Sequence, residues 1–404
     1  MDFNEQCYLE DPYRVEFTAR VKEAEAAGED LCAVYLDRTC FYPDSGGQPD
    51  DRGTLGGMPV AGVAEGEKGV RHLVRGALRA GADVEGRIDW PRRFDHMQQH
   101  SGQHLLSRVF LAGWRLTTVS FHLGPEICTI DLEGSAPNEE KLLSAETRAN
   151  EIVFKNIPLS CRVVAADEIE TSGTLRSRLP EGVNRARIVE IEGFDSSTCC
   201  GTHVRSTGEI GLIKILGMEK TKGNARVHFI CGVRAARDYA AKHALLVSVA
   251  SGISTDWREI PRIVGKLAEE GREQRKRIEE LGAELTRYRA IELSRPTGAA
   301  GGFDLIKKAF DAGDATSLRE TAARIREAGG KIVLFGLAGA APALIFACSQ
   351  DVPLNMGELM KACAALMGAR GGGGKDFAQG GGGDAARVGE ALDEAERRIR
   401  AALG

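Results

Sequence analysis

Between residues 13 and 87 the apolar positions come in short bursts. Val15, Phe17 and Ala19 alternate with polar neighbours, residues 31–36 are apolar, and residues 60–63 and 72–74 follow glycine-rich turns. Period-two bursts broken by glycine predict a small antiparallel barrel. Pro91 and Arg92 open a different texture, in which Phe94, Met97, Leu105 and Val109 fit a helix over residues 94–111. Strand patterns follow at 117–123, 127–132, 159–165, 187–191, 211–216 and 225–231. Asn138 is placed to cap a helix running to about Phe154, with Glu139 and Glu140 in its first turn. This set predicts an α+β domain on one antiparallel sheet.

Farther on, Ile260, Val264, Leu267, Gly271, Gln274, Ile278, Leu281, Leu285 and Tyr288 stand at alternating spacings of four and three, with charges between them. Heptad spacing allows a helix packed on its own chain or an inter-chain coiled coil, so a homodimer through this connector or the C-terminal domain is one option. Residues 295–302, rich in glycine and proline, read as a linker. Helical patterns at 317–328 and 356–367 bracket buried strand patterns at 332–337 and 343–348. A loop with glycines at 371–374 and 380–383 precedes a helix over 384–403. The expected class is α+β multidomain: a β-barrel over 1–89, an α+β domain over 90–245, a helical connector over 255–294 and a small α/β domain over 300–404.

Composition narrows the setting. Lys and Arg total 53 against 58 Asp and Glu, a net charge of −5, so any nucleic-acid contact rests on local patches and no DNA binding is expected. No apolar run nears the ~20 residues that span a bilayer, so no membrane partner is expected. Residues 1–12 lack an apolar signal core, and ten scattered cysteines fit reduced thiols or metal ligands; a cytoplasmic protein is the expectation.

The strongest chemical signal is His100-Ser101-Gly102-Gln103-His104. Residues four apart share a helix face, so both imidazoles can reach one ion. A second half lies downstream in Cys199-Cys200-Gly201-Thr202-His203. Three imidazoles and a thiolate suit zinc. His96 matches the same spacing to His100, and either Cys199 or Cys200 could supply the sulfur. The pair lacks the adjacent Glu of a metalloprotease helix.

At these residues the chain resembles the alanyl-tRNA editing family, AlaX, and the editing part of alanyl-tRNA synthetase. "HSGQHLLS" resembles its HxxxH helix and "CCGTHV" its CxxxH turn. "FYPDSGGQPDDRG", residues 41–53, is similar to the glycine-rich motif of its barrel, and "GGGGKDFAQGGGG", residues 371–383, to the signature of its DHHA1 domain. The resemblance implies the long form of the editing protein, without an aminoacylation domain. It makes His100, His104, Cys199 and His203 the ligands of one zinc ion, with residues 90–245 a zinc-binding editing domain. The implied function is trans-editing hydrolysis of the aminoacyl ester of mischarged tRNA(Ala), carrying serine or glycine. The alternative is an RNA- or tRNA-binding protein with a purely structural zinc, since four protein ligands make a closed site.

A hydrolytic second site is useful because a pocket shaped for alanine rejects glycine and serine poorly. Thr117, Thr118 and Ser120 could bind the serine hydroxyl, and Thr118 and Gln103 are the expected catalytic-site residues. Gly46, Gly47 and Gln48 would lie beside the site and contact tRNA, with Arg92 and Lys375. Arg93, Arg176, Arg178, Arg185 and Arg187 are further candidate cations.

Overall fold

The computed structural model describes residues 6–165, 185–221 and 223–404. These form two compact units, Met1–Ser254 and Thr255–Gly404. Arg176 and Arg178 lie outside the described residues.

In the first unit a short helix, α1 (Cys7–Glu10), leads into a closed antiparallel barrel of β1 (Glu16–Ala26), β2 (Leu31–Leu36), β3 (Gly53–Leu55), β4 (Met58–Gly66), β5 (Gly69–Arg75) and β6 (Asp83–Ile88), in the order β1-β2-β5-β4-β3-β6. The period-two pattern explains it: Val70, His72 and Val74 of β5, and Val84 and Ile88 of β6, turn inward while their neighbours face out. Between β2 and β3 a long loop carries Tyr42 to Arg52 out of the barrel wall toward the next layer.

That layer is built around α2 (Trp90–Trp114). Asp89 caps it by accepting the Arg92 N–H at 3.3 Å, Pro91 sits in the first turn, and Arg115 ends it in a left-handed conformation. These caps carry the helix a few residues beyond each end of the predicted span. Its core carries an unusual load of buried polar side chains, among them Gln98, Gln99, Ser101, Gln103 and Ser107. Buried polar groups need partners, and several supply the missing bonds of adjoining backbone: Gln99 exchanges both hydrogen bonds with the Cys231 main chain, at 2.8 and 3.0 Å.

The remaining elements are β7 (Thr118–Leu123), β8 (Cys128–Glu133), α3 (Glu139–Phe154), β9 (Leu159–Ala165), β10 (Arg185–Ile191), β11 (Asp195–Thr198), β12 (Ile213–Lys220), β13 (Asn224–Cys231) and α4 (Gly232–Gly252). Asn138 caps α3 as expected, accepting the Lys141 N–H at 3.0 Å. One point is corrected: the strands make two antiparallel sheets, β12-β13-β8-β7 and β11-β10-β9, where one was expected. Both close on α2, so the ends of β7 and β11 meet the middle of that helix, and Met97, Leu105, Leu106, Val109 and Phe110 fill the core between them.

The second unit holds α5 (Ile260–Leu293) and a six-stranded mixed sheet in the order β14-β15-β16-β17-β19-β18. Its strands are β14 (Gly298–Ala300), β15 (Phe303–Phe310), β16 (Lys331–Leu337), β17 (Ala343–Cys348), β18 (Arg370–Gly373) and β19 (Phe377–Gly381), with helices α6 (Ala315–Arg326), α7 (Met356–Leu366) and α8 (Val388–Leu403). Two expectations change here. The linker at 295–302 contains edge strand β14, and the glycine-rich loop is a hairpin, Gly371 pairing with Gly380. Val264, Leu267, Ile278, Leu281, Leu285 and Tyr288 stand exposed on α5. No helix among the described residues is long and apolar enough to cross a membrane.

Candidate metal centre

One turn of α2 sets His100 and His104 on the same face, as the spacing requires. The second half is delivered by the end of β11: Cys199 N–H bonds to Arg187 O at 3.0 Å, and the chain then turns through Cys200 and Gly201 to His203. Arg187, 2 % exposed, fixes this turn from beneath, its Nη1 donating to Cys199 O at 2.9 Å and Gly201 O at 2.8 Å. Gly201 is required by space, since a Cβ there would lie 2.0 Å from His100 Cε1.

The ligand atoms of His100, His104, Cys199 and His203 lie within 4.8 Å of one another. Cys199 Sγ stands 3.3 Å from His100 Nε2 and 3.4 Å from His203 Nε2. Each imidazole is held from outside through Nδ1: His100 by Gln48 Oε1 at 2.7 Å, His104 by Ser197 Oγ at 2.8 Å, and His203 by Ser101 Oγ at 3.0 Å. Outer partners of this kind orient metal-binding histidines. Of the two open choices, the structure leaves His96 and Cys200 out of the cluster: Cys200 is exposed, and His96 is buried with its Nδ1 lacking a protein partner.

Burial sets the protonation of the cluster. It drives the His100 pKa down to about 3, with Arg187 and then His96 adding to the effect. His203 is lowered by burial and by the other two imidazoles and Arg187. Both rings are therefore neutral near pH 7 and offer lone pairs. Burial pushes the Cys199 thiol up to about 11, against the pull of the Gly201 N–H and Arg187. A dry site that holds neutral imidazoles and resists a bare thiolate is one a dication completes, because the cation supplies the charge that the thiolate needs. The donor set fits a borderline-soft metal ion.

Beside the cluster is a pocket of about 270 Å³, lined by Gln103, His104, Ser107, Thr118, Phe121 and Cys199 among others. Ser107 Oγ accepts from Gln103 Nε2 at 2.8 Å and from Thr118 Oγ1 at 2.7 Å, which ties the two expected catalytic-site residues together. Gln103 Oε1 is buried without a protein partner. Thr117 and Ser120 also line the pocket, but the Ser120 hydroxyl is donated to Asp131 at 2.7 Å.

Gly46 and Gly47 are exposed at a tight turn, with φ of 56° and 80°. Gly47 O accepts the Leu123 N–H at 3.2 Å, which docks the loop on β7, and Phe121 bridges from Gly47 to the His100 ring. Gln48 departs from the expected tRNA contact: its side chain is fully buried and spent on His100 and Thr202. Two cations are corrected likewise. Arg187 is the buried clamp just described, and Arg93 is buried against Asp51. Arg92 is partly exposed and held by Asp50, and Arg185 is exposed. Lys375 is exposed at the tip of the β18–β19 hairpin in the second unit. Sequence reasoning missed Ser101, Ser197 and Arg187 as supports. The one usable signal was Arg187 set between the apolar Ala186 and Ile188 of β10, on the buried stretch of that strand.

The first unit is a barrel docked on an α+β layer, with a three-histidine, one-cysteine cluster able to hold a metal ion beside a small pocket. Residues 186–228 match the family described as Threonyl and Alanyl tRNA synthetase second additional domain, and residues 305–401 match the DHHA1 domain. Alanyl-tRNA editing protein AlaX-L of Pyrococcus horikoshii is 29% identical over 391 residues, 93% of this chain and 94% of that protein. Alanyl-tRNA editing protein Aarsd1 of Rattus norvegicus is 39% identical over 203 residues, 50% of this chain and 49% of that protein. Alanine--tRNA ligase of Pyrococcus abyssi is 31% identical over 409 residues, 96% of this chain and 43% of the ligase. The chain thus spans about half the length of the Aarsd1 relatives it matches. It is similar to alanyl-tRNA editing proteins over most of its length, and residues 305–401 match the DHHA1 domain.

Proposed function

We propose that the first unit hydrolyses the aminoacyl ester of mischarged tRNA(Ala), Ser-tRNA(Ala) or Gly-tRNA(Ala), at one zinc ion held by His100, His104, Cys199 and His203. The observation that carries this reading is the shared wall: the pocket of about 270 Å³ is lined by His104 and Cys199 of the cluster and by Gln103, whose amide oxygen is buried without a partner. A pocket this small suits a short amino acid. Zinc, when bound, would supply a Lewis acid for the ester carbonyl.

The chain's own groups would do the rest. Gln103 Oε1 accepts a hydrogen bond from the seryl hydroxyl, while the Ser107 hydroxyl and Thr118 hold the amide in place. The methyl of alanine, like the hydrogen of glycine, offers no donor, so this contact favours the seryl ester alone, and the oxygen left unsatisfied costs about 1–3 kcal/mol. That corresponds to roughly 5–150-fold discrimination against Ala-tRNA(Ala). The exposed backbone at Gly46 and Gly47 and the Arg92 and Lys375 side chains are the assigned tRNA contacts. None of the ten cysteines is bonded to another, and a reducing, cytoplasmic setting is part of this reading.

Incubating the pure chain with each charged tRNA tests the reading. Ser-tRNA(Ala) should be released faster than Ala-tRNA(Ala), and Gln103→Met should narrow the ratio. Binding of tRNA without release of any amino acid would favour the other reading, a tRNA-binding protein with a structural zinc.

A further inference from the structure

We propose that Gln48, contributed by the barrel, fixes the tautomer of His100 and so makes the barrel loop a working part of the metal centre. This rests on reading the four-residue cluster as a metal site, and it assigns Gln48 a positioning role.

The argument begins from a group that can only donate. The Thr202 backbone N–H meets Gln48 Oε1 at 3.1 Å, so the side chain's oxygen, and not its NH₂, must point there. That same oxygen lies 2.7 Å from His100 Nδ1. An amide oxygen only accepts, so Nδ1 carries the proton and Nε2 keeps its lone pair, aimed at Cys199 Sγ 3.3 Å away. The other end of the amide donates to Thr202 Oγ1 at 2.8 Å. One fully buried side chain therefore ties the helix half of the cluster to the turn half.

The other two histidines differ. Ser197 and Ser101 meet His104 and His203 with hydroxyls, which both donate and accept and so do not dictate a tautomer. Gln48 gives His100 an outer partner that does. Gln48 in turn is anchored through its own loop, since Gly47 O takes the Leu123 N–H and Gln48 N–H bonds to Ser45 O at 3.0 Å.

The test compares Gln48→Leu, which removes the acceptor, with Gln48→Glu, which keeps it. Affinity is read by competition for Zn²⁺ against a chromophoric chelator. His100 is read by long-range ¹H–¹⁵N correlations in the metal-free, full-length protein. Gln48→Leu should bind Zn²⁺ about 10–100-fold more weakly, Gln48→Glu should stay near the parent, and the parent spectrum should show a proton on His100 Nδ1. Parental affinity in Gln48→Leu, or a His100 protonated at Nε2 in the parent, would overturn the proposal. A parent that binds no Zn²⁺ would instead defeat the metal-site reading, and the His100 spectrum would still judge the role of Gln48.

Discussion

Gly201→Ala should sharply weaken Zn²⁺ binding at the four-residue cluster. The added methyl would lie 2.0 Å from His100 Cε1, 2.3 Å from His100 Nδ1 and 2.9 Å from Gln48 Oε1. None of these atoms can retreat cheaply: His100 is packed against Phe121 and the other two imidazoles, and Gln48 is pinned by Thr202. Overpacking of this kind costs about 1–3 kcal/mol where the neighbours can yield. Here the strain falls on ligand geometry, so Zn²⁺ affinity should drop by at least about 100-fold, the size of a severe outer-partner defect. Gly217→Ala is the matched control, because a Cβ there meets nothing within 4 Å. Equal Zn²⁺ affinity in the two variants would show that the turn does not pack on His100 as described.

The largest loss of stability should come from Asp51→Ala. Asp51 and Arg93 are both fully buried, and their ion pair joins the barrel to α2. Arg93 Nε lies 3.0 Å from each Asp51 oxygen, and its Nη1 donates to Pro12 O at 2.7 Å. On the other side Asp51 Oδ2 accepts the Tyr42 N–H at 2.6 Å. Removing the carboxylate strands a guanidinium in a dry interior and orphans that N–H, at a cost of about 3–5 kcal/mol. Urea unfolding followed by the fluorescence of Trp90 and Trp114 measures it. Replacing both partners with leucine should recover part of the loss, since no charge is then left alone. A loss below about 1 kcal/mol for Asp51→Ala would place the pair in solvent, where such bridges contribute that little.

Much of this architecture was legible in the chain. Alternation in 13–87 foretold the barrel because the inward residues there, His72 apart, are mostly apolar and the turns are marked by glycine. The ligand cluster was legible because its residue types are chemically rare together and their spacing matches one helix turn. What escaped has a common physical cause: it depends on pairing between distant segments. Gln48 was singled out by its glycine-rich motif but given another role, and nothing local marks Ser101 or Ser197, since each acts only by meeting a histidine from another element. Strand partners are equally nonlocal, so one sheet was expected where there are two. The β18–β19 hairpin was taken for a loop because its glycines have no side chains to alternate. Helix α4 was missed because it buries only Gly232, Ala235 and Ala250, too few to print an apolar period. In β15, Lys307 breaks the apolar run while bonding to Asp393 and Glu396.

Metal removal bears most directly on the account as a whole. The full-length protein is stripped by a chelator, checked for retained secondary structure, and assayed on Ser-tRNA(Ala) before and after one equivalent of Zn²⁺ is restored. Release of serine should vanish on stripping and return with the ion. Undiminished release from a folded, metal-free protein would contradict the claim that His100, His104, Cys199 and His203 hold the centre of the chemistry.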